Sequence, residues 1–341
     1  MSRESLEIAV LAVLWGGLTL YVLLGGADFG GGVWDLLASG PTRERQRRLV
    51  ADAIAPVWEA NHVWLIFVLV GLLAAFPPVF AALGVALYVP FSLAALGVIF
   101  RGAAFAFRAH GDPGSGWQRR WTPVFGIASL VSPLVLGAAG AAIASGRIRV
   151  RGGEVQAELI GAWTGPLSIA GGLLALAMCA YLAASYLTVE AVQRGDDELE
   201  QAFRNRALVS GIIAGALAAA GLIVVRADAP TLWPGMLGRG LAFVALSAAG
   251  GLVSLAATYR RRYRLARVSA AVAVGAVLWG WGAAQWPYLI VPDVSASDAA
   301  APASVLRLVL LGFAAGAVLL APSLYALFRV FKTGRHPPPT S

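Results

Sequence analysis

Long apolar stretches recur along the chain, separated by short polar segments. They run over 6–37, 51–75, 79–108, 121–144, 163–189, 206–225, 237–258, 267–287 and 305–330. A helix rises 1.5 Å per residue, so about 20 apolar residues cross the hydrocarbon core of a bilayer. Each stretch therefore predicts a membrane-spanning helix, and the longer ones must tilt or project beyond the bilayer. The breaks carry turn chemistry: Phe76-Pro77-Pro78, Gly111-Asp112-Pro113-Gly114, and the segment from Pro292 to Pro302. Asp196, Asp197, Glu198 and Glu200 mark a solvated loop. The first stretch, from Leu6, is too long for the apolar region of a signal peptide and runs into a Gly-rich segment without a cleavage pattern, so it predicts a first span. The expectation is an all-α polytopic membrane protein with about nine transmembrane helices. Residues 1–336 form a single integral membrane domain, and 337–341 a short disordered tail beginning at Pro337.

Composition supports the pattern. Hydrophobic residues make up 59% of the 341 and charged residues 13%, where soluble domains carry about 25% charged residues. The formal charge of +8 raises a nucleic-acid reading, but the basic residues do not gather on one face or in one tail. They sit in short loops between apolar runs, as topology determinants do. Of the 26 Lys and Arg, Arg3, Arg147, Arg149, Arg151, Arg226, Arg239 and Arg307 belong to one side, Arg101 lies inside a span, and the rest belong to the other side. That asymmetry predicts an outside N-terminus and a cytoplasmic C-terminus, with no nucleic-acid partner. The lone Cys179 cannot form an internal disulfide, and no Cys/His spacing marks a zinc or iron–sulfur site, so no metal is expected on this chain.

Ionisable side chains at membrane depth are the candidates for chemistry, because each costs roughly 3 kcal/mol to insert unless it is paired or hydrated. Asp28, Glu59 and Arg101 qualify. Counted from their span ends, all three fall about 10–15 Å from the inner surface, so they can pair across neighbouring helices. The functional reading is a proton-conducting cluster fed from inside, since desolvation and a second carboxylate both favour proton uptake. The structural reading is an ion pair with Arg101. His62 shares a helix face with Glu59 at i+3 and is the one histidine within a span, His110 and His336 falling in loop and tail. One buried histidine cannot ligate several hemes. Gly26 and Gly30 form a GxxxG pair that permits close helix approach. Trp279, Trp281, Trp286 and Tyr288 read as interfacial anchors.

These segments resemble a known family. Gly26-Ala27-Asp28-Phe29-Gly30-Gly31-Gly32, Ala53-Ile54-Ala55-Pro56-Val57-Trp58-Glu59-Ala60-Asn61-His62-Val63-Trp64-Leu65, Phe100-Arg101-Gly102-Ala103-Ala104-Phe105 and Gly280-Trp281-Gly282-Ala283-Ala284-Gln285-Trp286-Pro287-Tyr288 are similar, in order, to cytochrome bd quinol oxidase subunit II. The resemblance implies two four-helix bundles plus one extra helix. It implies a heterodimer in the cell membrane, with a subunit I that carries the quinol site, the b hemes and heme d. That complex oxidises quinol and reduces dioxygen to water. Asp28, Trp58 and Glu59 match family positions linked to proton delivery or heme-site integrity, with Arg101 as ion-pair partner and His62 as a heme-site neighbour. Glu59 stands where relatives have Asp, and His62 where some have Gln. The resemblance leaves open whether a quinone binds this subunit and whether a small accessory subunit joins the complex.

Two other classes remain at the level of sequence. A proton-coupled transporter would place polar residues around a midplane site, often in two related halves, but no repeat is visible and the later spans are almost wholly apolar. A purely structural membrane subunit would use its carboxylates only in ion pairs.

Overall fold

The computed structural model describes residues 2–110 and 116–333, with side chains outside the description at 55–60, 109–110, 116–119, 321, 324 and 327–333. The helices are α1 (Arg3–Leu36), α2 (Arg43–Ala75), α3 (Pro77–Ala86), α4 (Tyr88–His110), α5 (Gly116–Ala144), α6 (Pro166–Gln193), α7 (Asp197–Asp228), α8 (Trp233–Leu237), α9 (Leu241–Tyr259), α10 (Tyr263–Gln285), α11 (Ala296–Ala299) and α12 (Ala303–Thr333). By length and composition, eight described helices can cross a membrane, or nine when the bent pair formed by α2 and α3 is counted as one span. The tail 337–341 lies outside the described residues.

Helix boundaries follow local chemistry. Ser2 caps α1 by accepting the Ser5 N–H, and Asp196 caps α7 by accepting the Leu199 N–H. Asp197, Glu198 and Glu200 then fill the first turn of α7, where carboxylates complement the exposed N–H groups. Phe76-Pro77 ends α2, since proline has no N–H to give the preceding turn, and α3 leaves at 118° to it. The expected single span over 79–108 is thus two elements: α3 is a short helix of its own, and the span is α4 from Tyr88.

Packing sorts the long helices into two four-helix groups. One contains α1, α2, α4 and α5, and the other α6, α7, α9 and α10. They join where α6 lies against both α1 and α5, and α12 packs separately on α1 and α2. Helices α1 and α2 are antiparallel: Leu14 meets Gly71, Gly17 meets Phe67, Gly25 meets Asn61, and Gly31 meets Ile54. Close approach depends on the glycines. A Cβ at Gly30 would overlap the Cys179 carbonyl oxygen, one at Gly26 the Leu182 side chain, and one at Gly32 the Ser129 hydroxyl. Packing without side-chain bulk substitutes here for a hydrophobic driving force that lipid does not supply. Many large apolar side chains face outward, among them Ile66, Val70, Leu252 and Val318, as lipid contact requires.

One end of the assembly carries small non-helical elements. Strands β1 (Arg149–Arg151) and β2 (Glu154–Gln156) form a hairpin whose turn residues, Gly152 and Gly153, both have positive φ, as a two-residue turn of this kind requires. Strands β3 (Tyr288–Ile290) and β4 (Val294–Ser295) pair beside it. Asp293 ties the two together, accepting from Arg149 Nε at 2.7 Å, Arg149 Nη2 at 2.8 Å and the Val150 N–H at 2.9 Å. These donors hold its carboxyl below the usual aspartate range, the Arg149 hydrogen bonds contributing most.

Candidate functional site

The first four-helix group encloses a buried ion pair. Arg101 of α4 reaches Asp28 of α1 with both terminal nitrogens: Nη1 donates to Oδ2 at 2.8 Å, and Nη2 donates to Oδ1 and, at 2.9 Å, to the Asp28 carbonyl oxygen. The third donor, Nε, goes to Ser129 Oγ of α5 at 3.0 Å, and that hydroxyl donates to the Phe125 carbonyl at 2.7 Å. Asp28 is 0% exposed and Arg101 1%. Backbones of α1 and α4 are not closely packed, so the length of the arginine arm is what joins them. The guanidinium also lies over the rings of Phe29 at 5.1 Å and Phe125 at 4.9 Å, contacts that favour a cation in a dry setting.

A second pair repeats the first seven residues further along both helices. Arg108 donates to both oxygens of Asp35 at 3.0 Å, and its guanidinium covers Phe125 at 5.0 Å. The Phe125 ring therefore contacts both arginines. The two rungs are about 10 Å apart along the helix axis. Asp35 is buried while Arg108 is partly open, so the column becomes wetter toward the end of the molecule where α1 and α4 finish. The sequence reading counted Arg108 with the loop charges and passed over Asp35. The signal that finds them is the parallel spacing, Asp28 to Asp35 on one helix and Arg101 to Arg108 on the other.

Of the remaining candidates, Trp58 and Glu59 stand on α2 with side chains outside the described residues. The antiparallel register of α1 and α2 puts backbone position 59 within about 3 Å of the depth of Asp28. His62 is half-buried and near enough to Asp28 to act on its charge. On α2 it is Asn61 whose side chain meets α1 at this level, with its amide nitrogen 3.1 Å from where a Cβ would stand on Gly25. Asn61 was not singled out from sequence, although a buried amide between two carboxylate positions is itself a signal.

The spans of this chain offer few of the side chains that ligate heme, His62 on α2 and the buried Met178 on α6. Axial ligation uses His or Met among a few others, His62 is the one histidine in a span, and no group of three or more His, Cys, Asp or Glu could hold a metal among the described residues. The aromatics of α10 are held in place at the opposite end: Trp281 packs on Trp15 at 5.2 Å and donates to Gln285 at 2.8 Å. Trp286 and Tyr288 line a cavity of ≈ 350 Å³ together with Arg239.

Known proteins give this geometry its setting. Residues 6–331 match the family described as cytochrome bd terminal oxidase subunit II. The cytochrome bd ubiquinol oxidase subunit 2 of Bacillus subtilis is 29% identical over 56% of this chain, and the match spans about half (54%) of that relative's length. The putative cytochrome bd menaquinol oxidase subunit II of the same organism is 20% identical over 95% of both chains. The cytochrome bd-I ubiquinol oxidase subunit 2 of Escherichia coli (strain K12) is 34% identical over 39% of this chain and 36% of its own. In fold, the chain is similar to one in the bd oxidase structure from Geobacillus thermodenitrificans, with a TM-score of 0.77 and 23% identity over 97% of this chain and 100% of that one. The eight or nine spans among the described residues, the two four-helix groups and the match over nearly the whole length lead to one conclusion: this chain belongs to the cytochrome bd terminal oxidase subunit II family.

Proposed function

We propose that this chain is the non-heme-ligating subunit of a bd-type quinol:oxygen oxidoreductase in the cell membrane. It pairs there with a heme-bearing subunit I, which holds the b hemes and heme d, and the complex oxidises quinol and reduces dioxygen to water. The observation that carries this reading is the family match over residues 6–331. The end of the molecule bearing the α1–α2, α4–α5, α6–α7 and α9–α10 loops is cytoplasmic, because most of the arginines gather there.

Within that assembly the chain supports the heme-bearing partner and supplies a proton route from the cytoplasm. The Asp35–Arg108 rung forms its mouth and the Asp28–Arg101 rung its buried floor. Both Asp28 oxygens receive N–H groups from Arg101, and Asp28 takes part in proton delivery as one partner of that pair. Glu59 is the carboxylate that loads and releases protons, at nearly the same depth. Trp58 precedes it by one residue and His62 follows it by three. A structural reading of the same pair draws on one fact, that Asp28 and Arg101 satisfy each other so fully.

The test is the complex itself. Purified with its partner, a Glu59→Gln variant is expected to keep its heme bands and to reduce oxygen at least about tenfold more slowly, as loss of a proton-transferring group does. Normal turnover in a fully heme-loaded variant would falsify the proton role and favour the structural reading.

A further inference from the structure

Two buried polar side chains at the far end of the ion-pair column have no hydrogen-bond partner among the described residues. Asn61 is 1% exposed and Tyr21 7%. Among the described residues, neither the amide nitrogen nor the amide oxygen of Asn61 has a hydrogen-bond partner, and the Tyr21 hydroxyl has none either. Such groups are rare in folded proteins, because leaving a buried donor or acceptor unpaired costs about 1–3 kcal/mol.

Their placement is specific. Tyr21, Gly25 and Asp28 follow one another at i, i+4 and i+7 on α1, so they line one face. Asn61 meets that face at Gly25, between the tyrosine and the aspartate in depth. Tyr21 packs in the same bundle core among Trp64, Leu65, Val98 and Leu136, which offer it no acceptor but backbone. Gly25 contributes no side chain at this point, which lets the Asn61 amide approach α1 this closely. The close hydrogen bonds of Asp28 come from Arg101, and the Asn61 amide lies beside that pair without a close bond of its own.

We propose that Asn61 and Tyr21 hold ordered water inside the bundle, on the outer side of the Asp28–Arg101 pair. Buried waters make about three hydrogen bonds to otherwise unsatisfied groups, and Asn61 Nδ2, Asn61 Oδ1 and Tyr21 Oη supply three. The water continues the polar column from the charged rungs toward the middle of the membrane, roughly 10 Å beyond Asp28 at the level of Tyr21. Its service as a proton carrier rests on the proton route proposed above; its presence does not.

The test uses the complete complex with its partner subunit. A high-resolution map should show density within hydrogen-bond distance of both Asn61 and Tyr21. In Asn61→Leu the density should be lost and the thermal transition should fall by about 2 °C or more, because leucine expels the water and strands Tyr21. Absent density, together with an unchanged or raised transition in Asn61→Leu, would overturn the proposal, since a dry, unpaired amide gains from apolar replacement. Tyr21→Phe provides the second check: a water site predicts a lowered transition, a dry site an unchanged or higher one. Neither readout involves turnover. A Glu59→Gln complex with normal activity sinks the proton route and leaves the water standing, and an empty, dry site does the reverse.

Discussion

Asp28 and Arg101 answer each other so completely that removing either leaves the other as a bare charge in a fully buried position. Breaking a buried pair in this way costs about 3–5 kcal/mol, whereas replacing both partners by apolar residues of similar size is often nearly neutral. Asp28→Leu or Arg101→Met alone should therefore cut the yield of assembled complex sharply. The double variant should recover much of that yield, read as the folded peak in detergent chromatography. Turnover separates the two roles for the pair: a double variant that assembles and works normally assigns it to structure, and one that assembles but turns over slowly assigns it to the proton route. That Asp28 and Arg101 lie at one depth and can pair was legible in the sequence from counting residues to span ends. Their further partners were not. Ser129 supplies an acceptor from a third helix, and Phe125 sits between two arginines, and neither residue type announces such a role in an apolar run.

At the scale of the helix, α1 is held by its glycines. Gly30 lies against the backbone of α6, where an added Cβ would collide with the Cys179 carbonyl, while Gly16 on the same helix has nothing within 4 Å. Gly30→Ala should force α1 and α6 apart and lower stability by about 1–3 kcal/mol; Gly16→Ala should leave the thermal transition essentially unmoved. Equal effects at both positions would show that backbone freedom, not close approach, is what these glycines provide. The GxxxG spacing of Gly26 and Gly30 predicted tight packing, and the contacts with Leu182 and Cys179 supply the neighbour. The sequence treated 79–108 as one span because apolarity does not record direction. The proline pair after Phe76 redirects the chain, and the apolar residues of α3 pack instead into the core where Phe76, Val79 and Leu83 meet Leu6 and Leu306.

Across the whole molecule, the two ends are fastened by different chemistry. At the arginine-rich end, Arg45 grips Asp196 and Glu198, and Arg194 meets Asp52, joining α2 to the α6–α7 turn. At the other end one carboxylate, Asp293, ties the β1–β2 hairpin to the 291–295 segment. Arg149 and the Val150 N–H depress its folded pKa, so its stabilisation is present above the unfolded value of about 3.9 and is lost as pH falls below that, through the folded value. Acidification from pH 5 to pH 2 should therefore release the hairpin. Cross-linking between Cys pairs placed on β1 and the 291–295 segment should report this as lost proximity, and in Asp293→Asn the hairpin should be loose already at pH 5. A hairpin equally fixed in that variant would assign its position to the packing of Val150 and Val155 against the core.

Apolar run length determined by itself that the chain crosses a membrane about nine times, and the basic loops assigned an expected direction, because the bilayer acts as a uniform solvent that reads each stretch separately. Depth along a helix also follows from counting. What lies beside what does not. Which face of α1 meets α2, α5 or α6, the pairing of Asp35 with Arg108, and the stranding of Asn61 and Tyr21 arise only when four helices close around one another. A buried polar group is defined by its neighbours, and those neighbours are 73 residues apart for each ion pair.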